Sequence, residues 1–128
     1  MGTKYYNFME LQESFKKKMG FVPKIMDLAT ELDPKLLTFY DFCDKTVQED
    51  GALPSKIKML IIMAMGAQRH CSECVVSAMR AAYRKGATEE EILEAIRCIA
   101  VAGGAPALTA CKDALQLLKE KKLDKEGC

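Results

Sequence analysis

PSKIKMLIIMAMGAQRHCSECVVSAMRAAYRKGATEEEI, residues 54–92, carries the reading on which the fold turns. Pro54-Ser55 suits a helix start, because proline is tolerated where the first amides lack an intrahelical partner. Ile57, Leu60, Ile61, Met63, Ala64 and Met65 then make the segment apolar on nearly every side, which predicts a central, buried helix. Gly66 is its weak point. Cys71-Ser72-Glu73-Cys74 follows, Val75 to Lys85 continues on a helical period, and Gly86 is a stop. Thr88-Glu89-Glu90-Glu91 is a capping box: Thr88 accepts from the amide of Glu91, and Glu91 reaches back. It opens a helix carrying Ile92, Leu93, Ala95, Ile96 and Ile99.

The flanking sequence keeps the same period. Residues 1–20 predict an amphipathic helix, with Phe8, Leu11 and Phe15 on one stripe and Gly20 at its end. A second helix starts near Pro23 and carries Ile25, Met26 and Leu28. Asp33 is placed as N-cap and Pro34 at the first position of a third, which carries Leu36, Leu37, Phe39, Tyr40, Phe42 and Cys43 before the break at Glu49-Asp50-Gly51. Downstream, Gly103-Gly104-Ala105-Pro106 interrupts the long helix. A last helix carries Leu108, Leu115, Leu117 and Leu118, and residues 119–128, with Lys119 to Lys125, read as a solvated, fraying tail. No stretch alternates as a strand does. The expectation is an all-α chain with residues 1–128 as one domain.

Bulk properties exclude several functions. The chain has 128 residues, 49% hydrophobic and 29% charged, an ordinary globular balance. A net charge of +1 and the absence of Trp leave neither the field nor the stacking surfaces that nucleic acid requires. The longest apolar run, Met59 to Ala67, is far short of a membrane span, and the N-terminus has no signal-peptide core. Tyr6 stands where a myristoylation signal has Ser or Thr. A cytoplasmic protein, with neither a nucleic-acid nor a membrane partner, is expected. The eight methionines fit irregular core gaps.

Six cysteines are present. Their uneven spacing and the missing export signal point away from a disulfide framework and towards buried thiols plus one functional pair. Cys43 and Cys98, among apolar neighbours, are expected to be inert core thiols, with Cys111 similar. Cys128 is expected to be mobile and exposed. Cys71 and Cys74 share a helix face, so they can form a local disulfide. At a helix start, free amides would also stabilise a thiolate. Arg69 and His70 add nearby positive or switchable charge, and Glu73 could move a proton, although its carboxylate opposes thiolate formation. The same spacing serves half of a zinc site. His70, the sole histidine, adjoins Cys71 too closely for easy joint ligation, and Cys98 and Cys111 form no second pair. No intrachain metal is therefore expected; a site completed between subunits stays open. Nothing resembles a phosphate-cradling loop, and no cofactor is expected.

Leu53-Pro54, Lys56, Lys58, an apolar helix, Cys71-x-x-Cys74, Gly86-Ala87-Thr88-x-Glu90-Glu91-Ile92 and Gly103-Gly104 together resemble the carboxymuconolactone decarboxylase and alkylhydroperoxidase AhpD-like family over about residues 30–118. The resemblance implies an AhpD-like bundle of about six to seven helices, assembled as a homotrimer or homohexamer. It also implies a dithiol served by a proton relay: a glutamate twelve positions before the first cysteine and a histidine four after the second. Met59 and Ala78 occupy those positions here. The dithiol carries over and the relay does not. A free thiol titrates near ~8.5, and a positioned base typically contributes about 10²–10⁴-fold, so the loss bears directly on turnover.

The leading expectation is a thiol–disulfide oxidoreductase or peroxidase, with Cys71 and Cys74 cycling between dithiol and disulfide. His70 and Glu73 would be auxiliary proton-transfer groups. The substrate would be a peroxide or a small-molecule or protein disulfide. The residues leave open which cysteine attacks; the resemblance implies Cys74. The alternatives are a catalytically degenerate oligomer that binds a ligand or senses redox state and, ranked lower, a ring-lactone decarboxylase.

Overall fold

A computed structural model describes residues 8–123 of the chain. Seven helices and no strand occur among them: α1 Phe8–Met19, α2 Lys24–Leu32, α3 Pro34–Gln48, α4 Ser55–Gln68, α5 Ser72–Arg84, α6 Glu89–Ala110 and α7 Lys112–Lys119. The protein is all-α.

The first three helices gather around Leu11, Phe15 and Leu37, with Phe21, Val22, Met26 and Ala29 against them. Leu11 and Phe15 stand four residues apart, one helical turn, so α1 buries a single stripe. The side chain of Phe8, the third member of the predicted stripe, lies outside the described residues. Polar bonds tie α1 to α3. Lys18 pairs with Asp44 at 2.7 Å, and Ser14 donates to Asp41, which Lys45 also pairs at 3.0 Å. Asp33 stands at the N-cap of α3, but its side chain accepts no capping bond. Burial, and secondarily the Asp44 and Asp41 carboxylates, push the Tyr40 hydroxyl pKa up.

The larger core belongs to α4–α7. Met59, Met63 and Ala67 of α4 meet Val75, Met79 and Ala82 of α5, and Ile92, Ile96 and Ile99 of α6 close over them. Here the sequence expectation for α4 needs correction. Only one side is covered: Ile61 and Met65 remain 46% and 60% exposed. The same holds for α3, where Leu36, Phe39 and Phe42 point outward. Cys43 and Cys98, expected in the core, are both exposed. Their apolar neighbours lie on faces that this chain alone does not cover. Cys111 is buried as expected, and burial raises its thiol pKa.

α6 has the length and apolarity to cross a membrane, but it opens on three glutamates and bends at Gly104, whose φ of 74° and ψ of −169° are not helical. Pro106 follows the bend. The predicted last helix is divided: Leu108 belongs to the second arm of α6, whereas Leu115, Leu117 and Leu118 belong to α7, with a break at Cys111.

Of the expected solvated, fraying tail, the charges are exposed as expected from Lys119 to Lys122, but the described backbone is ordered by a turn. Lys121 takes a left-handed φ of 57°, and the amides of Lys121 and Lys122 bond back to Leu118 and Leu117. This is a Schellman turn, which reverses the chain and satisfies the last carbonyls of α7. It brings Leu123 into the core. The fully buried Arg80 of α5 then donates to the carbonyls of Leu123 (3.0 Å) and Lys122 (3.4 Å), with its guanidinium 5.4 Å from the Phe21 ring centre. Lys125 and Cys128 lie outside the described residues. Because charged hydrogen bonds are worth about 1.5–3 kcal/mol each, Arg80→Leu is expected to destabilise the protein by about 2–3 kcal/mol in urea unfolding. It should also open residues 119–123 to proteolysis; an unchanged midpoint and cleavage pattern would refute this anchoring role.

Candidate functional site

The site is made by the way α4 ends. The amide of His70 bonds to the carbonyl of Ala67, and that of Cys71 to the carbonyl of Gly66, both at 3.0 Å. These are the two bonds of a Schellman turn. His70 holds its left-handed position, with φ of 58°, where glycine is usual. The turn stops α4 and delivers Cys71 directly to the start of α5. Cys71 is the N-cap, and its sulfur accepts from the Cys74 amide at 3.2 Å. The two cysteines stand at disulfide distance, with Cα atoms 5.2 Å apart.

Cys74 backs directly onto α4. A methyl group added at Gly66 would fall 2.9 Å from the Cys74 Cβ, closer than real side chains approach. Gly66, read from sequence as a weak point, is thus the contact that admits the second cysteine. Met59 and Ala78, at the positions of the family's relay, are buried among apolar neighbours. No proton acceptor occupies either place.

The other two candidates flank the pair at the surface. His70 and Glu73 are exposed, and neither hydrogen-bonds to either sulfur among the described residues. His70 has a structural task in the turn. Glu73 instead borders a half-open cavity of about 470 Å³ beside α5, walled by Phe21, Ile25, Val76 and Leu117 and edged by Lys24 and Asp113. Sequence reading missed this cavity, because its walls come from three segments far apart in the chain. Among the described residues, no three metal-ligating side chains stand together.

Further out, Glu91 completes the capping box with Thr88 and also pairs with Lys56 at 2.9 Å, tying the start of α6 to α4. The Thr88 amide, and after it Lys56, hold the Glu91 carboxyl below its ordinary range. The clamp is therefore complete at neutral pH and loosens only as acid passes below the usual carboxylate values.

The model of the carboxymuconolactone decarboxylase family matches residues 34–119, spanning α3 to α7 and the cysteine pair. The chain belongs to the carboxymuconolactone decarboxylase family. An uncharacterized protein of Cupriavidus necator is 29% identical over 85 residues, covering 66% of this chain and 75% of that one. An uncharacterized protein of the cox locus of Paracoccus denitrificans is 37% identical over 76 residues, covering 59% and 68% respectively. The crystal structure of a candidate carboxymuconolactone decarboxylase from Burkholderia xenovorans superposes with a TM-score of 0.68 at 24% identity, over 89% of this chain and 95% of that one. That likeness shows the family fold.

His70 offers a clean division between turn and base. A non-glycine residue in the left-handed region costs about 1–2 kcal/mol, partly offset by the extra freedom glycine loses on folding. His70→Gly should leave stability unchanged or raise it by up to about 1 kcal/mol, with the alkylation rate of the reduced pair preserved. A large loss of thiol reactivity in a stable His70→Gly protein would instead make His70 the missing base.

Proposed function

We propose that this family member is a dithiol–disulfide oxidoreductase working through Cys71 and Cys74. One observation carries the reading: two cysteines at disulfide distance at the first turn of α5, one of them already accepting a backbone amide. In the cycle, one thiolate attacks a disulfide R–S–S–R and expels RS⁻. The second thiol then displaces the other RS⁻ from the mixed disulfide. The pair loses two electrons and the substrate gains them as two thiols. With a peroxide, the first step leaves a sulfenic acid and an alcohol or water, and the second thiol releases water. A thiol reductant resets the pair. Disulfide exchange makes the lesser demand, because its thiolate leaving group departs without a proton donor, whereas peroxide cleavage develops charge on an oxygen.

The family's ring-lactone decarboxylation finds less support. The cavity beside α5 has an apolar wall, Lys24 as its one cation and two carboxylates, Glu73 and Asp113, on its border. A carboxylated substrate would meet net repulsion there. The cavity favours instead, as the second reading, a binding module that keeps the scaffold without turnover.

Purified protein should reduce a small disulfide, and a peroxide more slowly, in the presence of a thiol reductant. Cys71→Ser and Cys74→Ser should each reduce steady-state turnover by about 10²-fold or more, the scale of losing an essential reacting group. Rates unchanged in both variants would end the oxidoreductase reading. Carbon dioxide release from a carboxylated lactone would establish the decarboxylase instead.

The same reading includes self-association as a homotrimer or homohexamer in a reducing compartment. Leu32, Leu36, Phe39, Phe42, Met65 and Val101 are each more than half exposed, and apolar residues so numerous on a small chain favour burial against further copies. Light scattering should give a trimer or hexamer mass, and Phe39→Glu with Phe42→Glu should lower it. A monomer at micromolar concentration would remove this part of the proposal.

A further inference from the structure

We infer that Cys71 is the attacking thiol and Cys74 the resolving one, the reverse of the order that the family resemblance implies. The inference rests on the oxidoreductase reading and concerns how the pair divides its labour.

Three observations carry it. First, Cys71 is the N-cap of α5, and its sulfur already accepts the Cys74 amide at 3.2 Å. Reduction leaves that amide in place. A bond to a neutral sulfur then becomes a charge-assisted bond to a thiolate, which favours the ionised form. The first-turn amides add the positive end of the helix dipole.

Second, the Cys74 amide is committed to Cys71, and Cys74 lies within the helix rather than at its cap. Its Cβ is set against Gly66 of α4. One turn further on stands Ala78, 5% exposed, where the family places the histidine that would ionise this cysteine. Met59, fully buried, offers no carboxylate in its place. Nothing in that wall pulls a proton from Cys74.

Third, the charged and titratable groups nearby do not reverse the balance. Glu73 sits in the first turn between the two cysteines and is exposed. Arg69 and His70 lie in the turn immediately before Cys71, and both are exposed. On α4, the element packed against the pair, Met59, Met63, Gly66 and Ala67 are buried and carry no charge.

The chemistry then runs in one direction. The Cys71 thiolate attacks one sulfur of R–S–S–R and releases RS⁻, leaving a mixed disulfide on Cys71. The Cys74 thiol gives up its proton and attacks the Cys71 sulfur, expelling the second RS⁻ and closing the local disulfide.

The test traps the intermediate. Cys43, Cys98 and Cys128 are replaced by serine to remove competing thiols, and buried Cys111 is kept. Cys74→Ser and Cys71→Ser are each made in that background. Serine is itself a preferred N-cap, so Cys71→Ser keeps the start of α5. Each reduced protein meets one equivalent of the disulfide of 5-thio-2-nitrobenzoate at neutral pH. Release of the coloured thiol is timed, and the adduct is located by peptide mass spectrometry. Cys74→Ser should form a lasting adduct on Cys71. Cys71→Ser should react more slowly at Cys74, by about threefold for each pKa unit separating the two thiols, since lower basicity partly offsets greater ionisation. The parent protein should release both equivalents and end with the Cys71–Cys74 bond.

Equal rates in the two variants, or a faster reaction at Cys74, would overturn the assignment while leaving the oxidoreductase reading intact. A parent protein that releases no second equivalent would overturn both. A rate of Cys71 alkylation in Cys74→Ser that rises only around the ordinary thiol pKa would also sink the inference, whatever the adduct's position.

Discussion

Gly66 presents no side chain to Cys74, and this bare patch of α4 sets the geometry around it. Helices usually pack at 8–10 Å, a spacing set by the side chains between them. Here α5 starts only a few residues after α4 ends and must fold straight back. That reversal is possible because the first inward residue of α5 meets a glycine. The Schellman turn through His70 supplies the change of direction, and Gly66 supplies both the room and the carbonyl that accepts the Cys71 amide. One residue therefore helps to position the N-cap of the next helix and admits the second cysteine. Other elements hold this corner in place. The Thr88–Glu91–Lys56 clamp fixes α6 to α4, and Arg80 draws the end of the described chain over the far side of α5.

What could be read in the sequence was what is decided locally. The capping box at Thr88 appears as expected, because its partners lie three residues apart and its geometry needs nothing from the rest of the chain. The break at Gly103-Gly104-Ala105-Pro106 was visible for the same reason. So was the pairing of Cys71 with Cys74, since a helix start fixes residues three apart on one face. The family frame followed from a specific order of such local signals.

What could not be read depended on partners remote in the sequence. Apolar neighbours place Cys43 and Cys98 on apolar faces, but they do not say whether this chain covers those faces, and it leaves them open. The charges after Leu118 are solvated, but the anchoring of this stretch was hidden, because Arg80 holds it by backbone carbonyls, which every residue has and no motif announces. Arg80 was hidden by being one basic residue within a regular helical period. His70 carries a second feature that the sequence does not announce. As the sole histidine beside the cysteine pair it is a candidate proton-transfer group, and its left-handed backbone also lets it turn the chain between α4 and α5.

The replaced relay and the retained cap bear on each other. A carboxylate and an imidazole facing Cys74 would need polar company inside the α4–α5 contact, whereas Met59 and Ala78 let that contact pack as ordinary core. The exchange removes a base but also removes the desolvation cost of burying one. Thiolate stabilisation must then come from groups that cost nothing further to bury, and the free amides of the first turn of α5 meet that condition. They act on the cysteine at the cap, not on the one against the wall. A site of this kind loses the means of protonating an oxygen leaving group before it loses the means of exchanging sulfur for sulfur. On the proposed reading, the apolar residues that dry this core would therefore favour disulfide over peroxide as the partner of the pair, and Cys71 over Cys74 as its attacking thiol.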